Sequence, residues 1–295
     1  MNNQLKIAIV LLGLLICFCL LSFVDPILQP EEERLEYILT DDGQILIPPY
    51  PPSEQFWLGT DQNGRDIFTY LVKGGLNTLV IVFVISFIRF VFAVPLGILA
   101  YKRKGISHSI IHGFNSFFSM VPILFIAILV LNLPMVLVSD HRLLLSVVLI
   151  ALLECGAIAV AVQNHVRQIY QSSYMEGAIV NGSSKLTVAK YYYWRHVRSH
   201  VIIMFFLDAA KVMLLLGQLG FLSMFLSQDW IYDESVGIVV RNTLEIWPTM
   251  LADTRQYLRS DIWIPLFPAF MIAYTIFSLQ MLGEGLRKHF ERKKQ

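Results

Sequence analysis

The sequence has little charge and very few cysteines. Only 15% of its 295 residues are charged and 56% are hydrophobic, whereas an ordinary soluble domain carries charge on about a quarter of its residues. The three cysteines, Cys17, Cys19 and Cys155, lie in apolar runs without a CxxC spacing, which excludes a disulfide framework and a zinc site of the usual kind. No spacing typical of metal ligands and no basic stripe with interleaved aromatic residues occurs, so neither a metal nor nucleic acid is predicted as a ligand.

A phosphate-binding loop of the form GxxxxGK[ST] is also absent from the sequence. This chain therefore has no such site for ATP, and we predict that it is not an enzyme. We also predict no catalytic residue, no cofactor and no metal in this chain.

The sequence does contain six long apolar runs, each near the ~20 residues that a helix needs to cross ~30 Å of hydrocarbon. Because lipid offers no partner for backbone polar groups, these runs are expected to be helices. The predicted spans are Ile7–Val24, Leu76–Ala100, Phe117–Val138, Leu143–Val162, Val201–Ser227 and Ile262–Leu282. A cleaved signal peptide is the alternative for the first run. Its length and the lack of a small-x-small site before Asp25 favour a retained anchor helix.

The distribution of Lys and Arg predicts the orientation of these spans. With the N-terminus inside, the inner segments hold 14 of the 23 basic residues and the outer segments hold 7. The predicted topology is six spans with both termini in the cytoplasm. In the second outer loop, Trp230, Tyr232, Trp247 and Trp263 either sit at the membrane interface or line an outer vestibule, and both interpretations stay open.

The segment between the fourth and fifth spans (163–200) is longer than a connector needs. Its central part, Tyr174–Ser184, is polar and rich in small residues. A short helix is predicted there, with Glu176 in its first turn, where the helix dipole favours negative charge, and Gly182 at its exit. Two interpretations stay open: a protruding contact surface for another protein, or an amphipathic helix held at the membrane surface by Tyr191–Trp194.

Four segments resemble permeases of binding-protein-dependent ABC importers. The pattern Tyr-x-Glu-x-Ala-x-x-x-Gly-x-Ser, formed by Tyr174, Glu176, Ala178, Gly182 and Ser184, resembles the "EAA" loop of that family. Three other segments resemble the second ("C") permease of dipeptide, oligopeptide and nickel systems: Leu58–Asp66, Leu219–Met224 and Phe267–Arg287. The resemblance covers nearly the whole chain from Trp57 onward.

The resemblance implies an all-α fold of the type I ABC importer permease, with six transmembrane helices and a cytoplasmic coupling helix. Residues 1–75 would form an anchor helix and an extracytoplasmic segment, and residues 76–295 the core permease domain, with the coupling loop at about 170–195. The implied function is a subunit in the bacterial cytoplasmic membrane that forms half of the pathway for peptides or a related small solute.

The resemblance also implies partners. These are a second permease subunit in a heterodimer, two cytoplasmic ATPase subunits that bind ATP and Mg, and an extracytoplasmic solute-binding protein. The implied contacts with an ATPase are Tyr174, Glu176, Gly177, Ala178, Gly182 and Ser184. Gly177 stands where the family usually has Ala, and the Leu-Pro pair that usually follows the loop is absent from Arg195–His200.

Four charged residues, Arg89, Glu154, Asp208 and Lys211, lie in predicted spans, where they are expected to face a partner or a wet cavity. Asp208 and Lys211 are three residues apart, so they share a helix face and can pair. These residues either stabilise the interface of two permeases or line the substrate path. An ion-coupled secondary transporter and a non-transporting membrane scaffold remain alternative functions.

Overall fold

The computed structural model describes residues 2–23, 38–39, 45–171, 194–233 and 237–292, and most of them are helical. The helices are α1 (Asn3–Leu20), α2 (Ile67–Leu99), α3 (Ile106–Ser119), α4 (Ile123–Leu131), α5 (Pro134–Leu137), α6 (Arg142–Leu153), α7 (Cys155–Tyr170), α8 (Trp194–Phe221), α9 (Thr254–Tyr257) and α10 (Trp263–Arg292). Short 3-10 turns cover Leu21–Phe23 and Trp247–Leu251. Two antiparallel hairpins pair β1 (Ile38–Leu39) with β2 (Ile45–Leu46) and β3 (Gln228–Asp233) with β4 (Gly237–Asn242).

Among the residues that the structure describes, five helical segments are long and apolar enough to cross a membrane: Asn3–Phe23, Ile67–Leu99, Arg142–Tyr170, Val197–Phe221 and Trp263–Arg292. A sixth crossing is obtained if α3 and α4, which are bent by 95° at their junction, count as one span. The prediction of a helical, polytopic membrane protein is confirmed, with two small hairpins added to the all-α prediction.

The third predicted span, Phe117–Val138, is not one helix. α3 ends before Pro122, and α4 begins directly after it and has only nine residues. Pro134 then begins α5. Proline lacks an N–H and is favoured where a helix starts. Pro122 and Pro134 mark such starts, whereas Pro95 and Pro268 lie inside α2 and α10, so the apolar composition of the run did not reveal where the chain changes direction.

The helices beside the predicted coupling loop are longer than expected. The fourth predicted span, Leu143–Val162, corresponds to α6 and α7, which break at Glu154 and continue to Tyr170. α8 begins at Trp194, before the predicted Val201. The residues predicted to couple to an ATPase, Tyr174, Glu176, Gly177, Ala178, Gly182 and Ser184, lie outside the described residues.

The chain divides into two compact units. The first unit comprises residues 1–6, 83–209 and 279–295, and the second unit comprises residues 7–82 and 210–278. Helices α1, α2, α8 and α10 each contribute one part to each unit.

A hydrophobic cluster forms the core of the first unit. It is built by the second half of α2, by α3, by α7 and by the start of α8, with the buried members Phe90, Ala93, Val94, Ala100, Ile111, Cys155, Ile158, Ala159, Val162, Val166, Ile169 and Val197. A Cβ at Gly97 of α2 would lie 2.6 Å from the carbonyl oxygen of Ala159, so the two backbones approach where only glycine fits. The cluster therefore fixes the end of α7 and the start of α8.

Trp247 lies in the core of the second unit. Its side chain has no exposed surface, and its backbone N–H donates to the Thr78 hydroxyl over 3.0 Å. The expectation that Trp247 sits at the membrane interface or in a vestibule is therefore wrong. Trp230 and Tyr232, on the hairpin strand β3, are 55% and 75% exposed.

The Leu58–Asp66 segment forms the turn that its composition predicts, and it ends directly before the first residue of α2. The Asp61 carboxylate accepts the backbone N–H groups of Asn63 and Arg65 over 2.8 and 2.9 Å. Asp66 accepts both the N–H and the hydroxyl of Thr69, which caps the first turn of α2.

Candidate transport and coupling site

The break between α6 and α7 creates the first feature of the site. The last carbonyl groups of a helix have no partner within it. Here the Arg89 side chain, which projects from α2, supplies donors for two of them. Its Nε donates to Ala151 O and its Nη2 donates to Ile150 O, each over 3.2 Å. A positive charge at this end also interacts favourably with the helix dipole. Arg89 thereby caps the end of α6.

The same guanidinium binds two carboxylates from two further elements. Its Nη1 donates to Glu154 Oε2 over 2.9 Å and to Asp208 Oδ1 over 2.6 Å. The Arg89 side chain is completely buried, and the Asp208 and Glu154 side chains are 7% and 28% exposed. We call these three residues the Arg89 network. It joins α2, the α6–α7 junction and α8 inside the first unit.

The charges of the Arg89 network do not balance when both carboxylates are ionised. One guanidinium faces two carboxylates, which leaves one negative charge in excess. Asp208 Oδ2 and the hydroxyl of Ser86 are both buried, and neither has a hydrogen-bond partner among the described residues. Ser86 is close enough to influence the Asp208 carboxylate, although no hydrogen bond of normal geometry joins them.

The predicted pairing of Asp208 with Lys211 is wrong. No ion pair joins them in the part of the chain that the structure describes, and Lys211 is exposed. Asp208 instead pairs with Arg89 of α2. The Nε and Nη2 atoms of the same guanidinium donate to the backbone of α6. Three of the four predicted residues thus come together, and their network is buried within one chain without a second permease.

A second polar cluster, which sequence reasoning missed, lies between α3 and α7. Gln163 is fully buried; its amide donates to Ala100 O over 2.5 Å and lies 3.0 Å from His108 Nδ1. Its Oε1 is 2.9 Å from His112 Nε2. The four-residue spacing of His108 and His112 was the feature of the sequence that could have indicated this cluster. Within the described ranges, no group of three His, Cys, Asp or Glu residues is placed to hold a metal.

The two helices that flank residues 172–193 pack side by side. Ile169 near the end of α7 and Val197 near the start of α8 belong to the same hydrophobic cluster. The rings of His165 and His200 stack with centroids 4.2 Å apart. Any force applied to the segment between these helices would therefore act on two packed helices at once.

Sequence comparisons with known proteins identify relatives of this chain. A family model described as "Binding-protein-dependent transport system inner membrane component" matches residues 93–295. The chain is similar to the dipeptide transport system permease protein DppC of Alkalihalophilus pseudofirmus, with 26% identity over 289 residues, 98% of this chain and 86% of the relative. DppC of Bacillus subtilis is 25% identical over 98% of this chain and 82% of its own length. The oligopeptide transport system permease protein OppC of Salmonella typhimurium is 23% identical over 99% of this chain and 88% of its own length.

Proposed function

This chain belongs to the family of binding-protein-dependent transport system inner membrane components, and from that membership we propose that it forms half of an import pathway for peptides. It is a multi-pass membrane permease of an ABC importer. The resemblance to the second permease of dipeptide and oligopeptide systems is confirmed by the matches to DppC and OppC proteins. The alignment over nearly the whole chain is the observation that carries the proposal.

The proposed partners follow from what this chain lacks and from its family. Because the sequence has no phosphate-binding loop, energy from ATP enters through a contact with another protein. We assign ATP and Mg to two cytoplasmic ATPase subunits, the other half of the pathway to a second permease in a heterodimer, and substrate delivery to a binding protein outside. Residues 76–295 form the core permease domain, after an anchor and an outer segment in residues 1–75, and both termini are cytoplasmic.

We place the contact with the ATPase at Tyr174, Glu176, Gly177, Ala178, Gly182 and Ser184. The family match includes this segment, and the packed ends of α7 and α8 support the assignment. Closure of the ATPases moves the segment, and α7 and α8 carry that movement to α2 and α3 through the shared hydrophobic cluster. The spans then alternate between inward-open and outward-open states.

The burial of the Arg89 network limits its role in substrate binding. The guanidinium has no exposed surface and already makes four hydrogen bonds, so it is not available to the carboxylate of a peptide. Glu154, with 28% of its side chain exposed, is the member that a substrate ammonium group could reach. We therefore assign Arg89 and Asp208 to the stability of the permease.

Glu176→Lys tests the coupling contact, with Glu291→Lys as the matched control. Glu291 is an exposed glutamate in the last turns of α10, so it undergoes the same charge reversal outside the 174–184 segment of the sequence. The complete transporter, reconstituted in vesicles with its ATPases and binding protein, should lose ATP-driven peptide uptake and ATPase co-purification with Glu176→Lys. It should keep both with Glu291→Lys.

Substitution of the Walker lysine in the partner ATPase separates the proposal from its alternatives. Loss of uptake in that variant supports an ATP-driven importer. Uptake that continues unchanged would indicate an ion-coupled secondary transporter. Vesicles that never take up peptide under any condition, although the complex is assembled, would favour a non-transporting scaffold.

A further inference from the structure

Of the four charged residues that the sequence places in spans, Lys211 lies outside the Arg89 network. We propose that the Lys211 ammonium group binds the C-terminal carboxylate of a peptide during its passage through the membrane. This assignment rests on the proposed function, because the ligand is the transported peptide. It gives a task to a charge that the ion pairs of the first unit do not use.

Lys211 lies near the middle of its span. The span in α8 has 25 residues, Val197–Phe221, so its central residue is number 209. At a rise of ~1.5 Å per residue, Lys211 is about 3 Å from that centre along the helix. The nearer edge of a ~30 Å hydrocarbon layer is then about 12 Å away, beyond the reach of a lysine side chain. Its charge therefore needs water or an anion at this depth.

The second half of α8 is covered on one side and exposed on the other. On the covered side, a Cβ at Gly217 would lie 3.3 Å from Ile272 of α10, and a Cβ at Gly220 would overlap the Pro248 backbone. Spacings of three, four and three residues place the exposed positions on one face of the helix. We call this face the Lys211 stripe, and its members are Lys211, Leu214, Gln218 and Phe221.

The composition of the Lys211 stripe differs from that of a face turned to lipid. The exposed residues Leu266, Phe270 and Phe277 of α10 are apolar, as lipid requires. The Lys211 stripe instead alternates polar and apolar side chains. The amide of Gln218 can both donate to and accept from a peptide backbone, while its apolar neighbours suit the side chains of a peptide.

The charge of the stripe is positive. The guanidinium of Arg255, an exposed residue of α9, lies 5.8 Å from the ring centroid of Phe221, at the end of the stripe. Within the described ranges, neither Lys211 nor Arg255 forms an ion pair. Asp208, the acidic residue closest to Lys211 along α8, is bound to Arg89. A carboxylate is the complement of this surface, and every unmodified peptide carries one at its C-terminus.

Water access at position 211 is tested by cysteine labelling of the complete transporter in vesicles. Methanethiosulfonate reagents react with the thiolate, which forms in water rather than in lipid. Lys211→Cys should react with the negatively charged sulfonatoethyl reagent at least about tenfold faster than Met213→Cys, a fully buried position of the same helix. The wild type gives the background from its own three cysteines. Saturating peptide, supplied with the binding protein, should slow the reaction at position 211.

Restoration of the charge in the same variant tests recognition of the carboxylate. Lys211→Cys should lower peptide uptake by about tenfold, because a charge-assisted hydrogen bond to the substrate is lost. The aminoethyl reagent attaches an ammonium group to Cys and should restore uptake, whereas the sulfonatoethyl reagent attaches a negative charge and should not. Gln218→Cys is the matched control on the same stripe, and the aminoethyl reagent should not raise its uptake.

Three results would overturn the site alone. An unreactive Lys211→Cys would mean that lipid or the second permease covers this position. A reactive Lys211→Cys that peptide does not protect would mean that the ammonium group faces only water. Equal recovery of uptake with both reagents would show that positive charge is not what the position supplies.

Failure of the proposed function gives a different result, because the wild-type transporter would then take up no peptide at all. That outcome would refute the function and the site together. If Lys211→Cys does not assemble, Leu214→Cys on the same stripe reports water access and protection by peptide, since Leu214 is 49% exposed.

Discussion

The indole N–H of Trp247 donates to the backbone carbonyl oxygen of Leu71 over 2.7 Å, across a separation of 176 residues in the sequence. This bond fixes the 3-10 turn Trp247–Leu251 against α2 in the second unit. A Cβ at Gly75 would lie 2.8 Å from the Trp247 ring, so the glycine leaves the space that the indole occupies. The Trp247 side chain therefore packs directly against α2.

Trp247→Phe should destabilise the protein because it removes this hydrogen bond and part of a fully buried ring. We expect a loss of about 2–4 kcal/mol, seen as a lower thermal unfolding midpoint in detergent. Trp230→Phe is the control, since Trp230 is 55% exposed, and its effect should stay within about 0.5 kcal/mol. Equal losses in the two variants would contradict the buried position of Trp247.

Gly220→Ala and Gly113→Ala should have effects of opposite sign. A Cβ at Gly220 in α8 would overlap the carbonyl oxygen of Pro248, a backbone atom that cannot turn away. We expect Gly220→Ala to destabilise by about 1–3 kcal/mol. A Cβ at Gly113 in α3 meets nothing within 4 Å, so alanine there should stabilise by up to about 1 kcal/mol. Thermal unfolding of both variants measures this difference, and a stabilising Gly220→Ala would refute the close approach.

Tyr257→Phe should change the stability of the protein at high pH. Burial, and next the carboxylates of Asp253, Asp61 and Asp261, raise the pKa of Tyr257 to about 12. The unfolded chain loses this proton near pH ~10 and the folded chain only near pH 12, so the folded state binds more protons between them. Wild-type stability should therefore fall over this range, and Tyr257→Phe should remove that part of the fall.

Unfolding midpoints between about pH 8 and pH 12 test the Tyr257 prediction. Tyr232→Phe is the control, because Tyr232 is 75% exposed, and it should follow the wild type throughout. At neutral pH, Tyr257→Phe should be no less stable than the wild type, since the buried hydroxyl has no hydrogen-bond partner among the described residues. Parallel curves for Tyr257→Phe and wild type at high pH would show that the hydroxyl is accessible to water.

Gly177→Ala should strengthen the proposed contact with the ATPase. Alanine favours a helix over glycine by about 1 kcal/mol, so the short helix predicted for this segment would be more populated. If that helix is the form that binds, affinity for the ATPase should rise by up to about fivefold, measured by titration of the ATPase onto the reconstituted permease. Gly13→Ala, at an open position of α1, is the control and should not change the affinity.

The apolar runs predicted the helical membrane fold because lipid length and backbone hydrogen bonding leave few alternatives. Helix ends were less predictable. The fourth apolar run ends at Val162, yet α7 continues for two more turns, where the buried Gln163 is satisfied by Ala100, just after α2, and by His112 of α3. The apolar content of the third run likewise conceals the bend at Pro122.

The candidate site was predictable in its membership but not in its pairing. Arg89, Glu154 and Asp208 stood out because charge is unfavourable in a span. Their contacts join residues 65 and 119 positions apart, whereas a single sequence reveals only neighbours on one helix, such as Asp208 and Lys211. Trp247 was misplaced for the same reason, because its partner lies on α2.

The capping of α6 by Arg89 also limits which amino-acid substitutions this protein can accept during evolution. Loss of Arg89 alone leaves two carboxylates and two carbonyl groups without their donor, and lysine cannot reproduce the planar set of N–H groups that reaches all four. A viable substitution therefore requires changes on α2 and at both acidic positions together. Lineages that carry this arginine are expected to keep the three residues as a set or to replace them as a set.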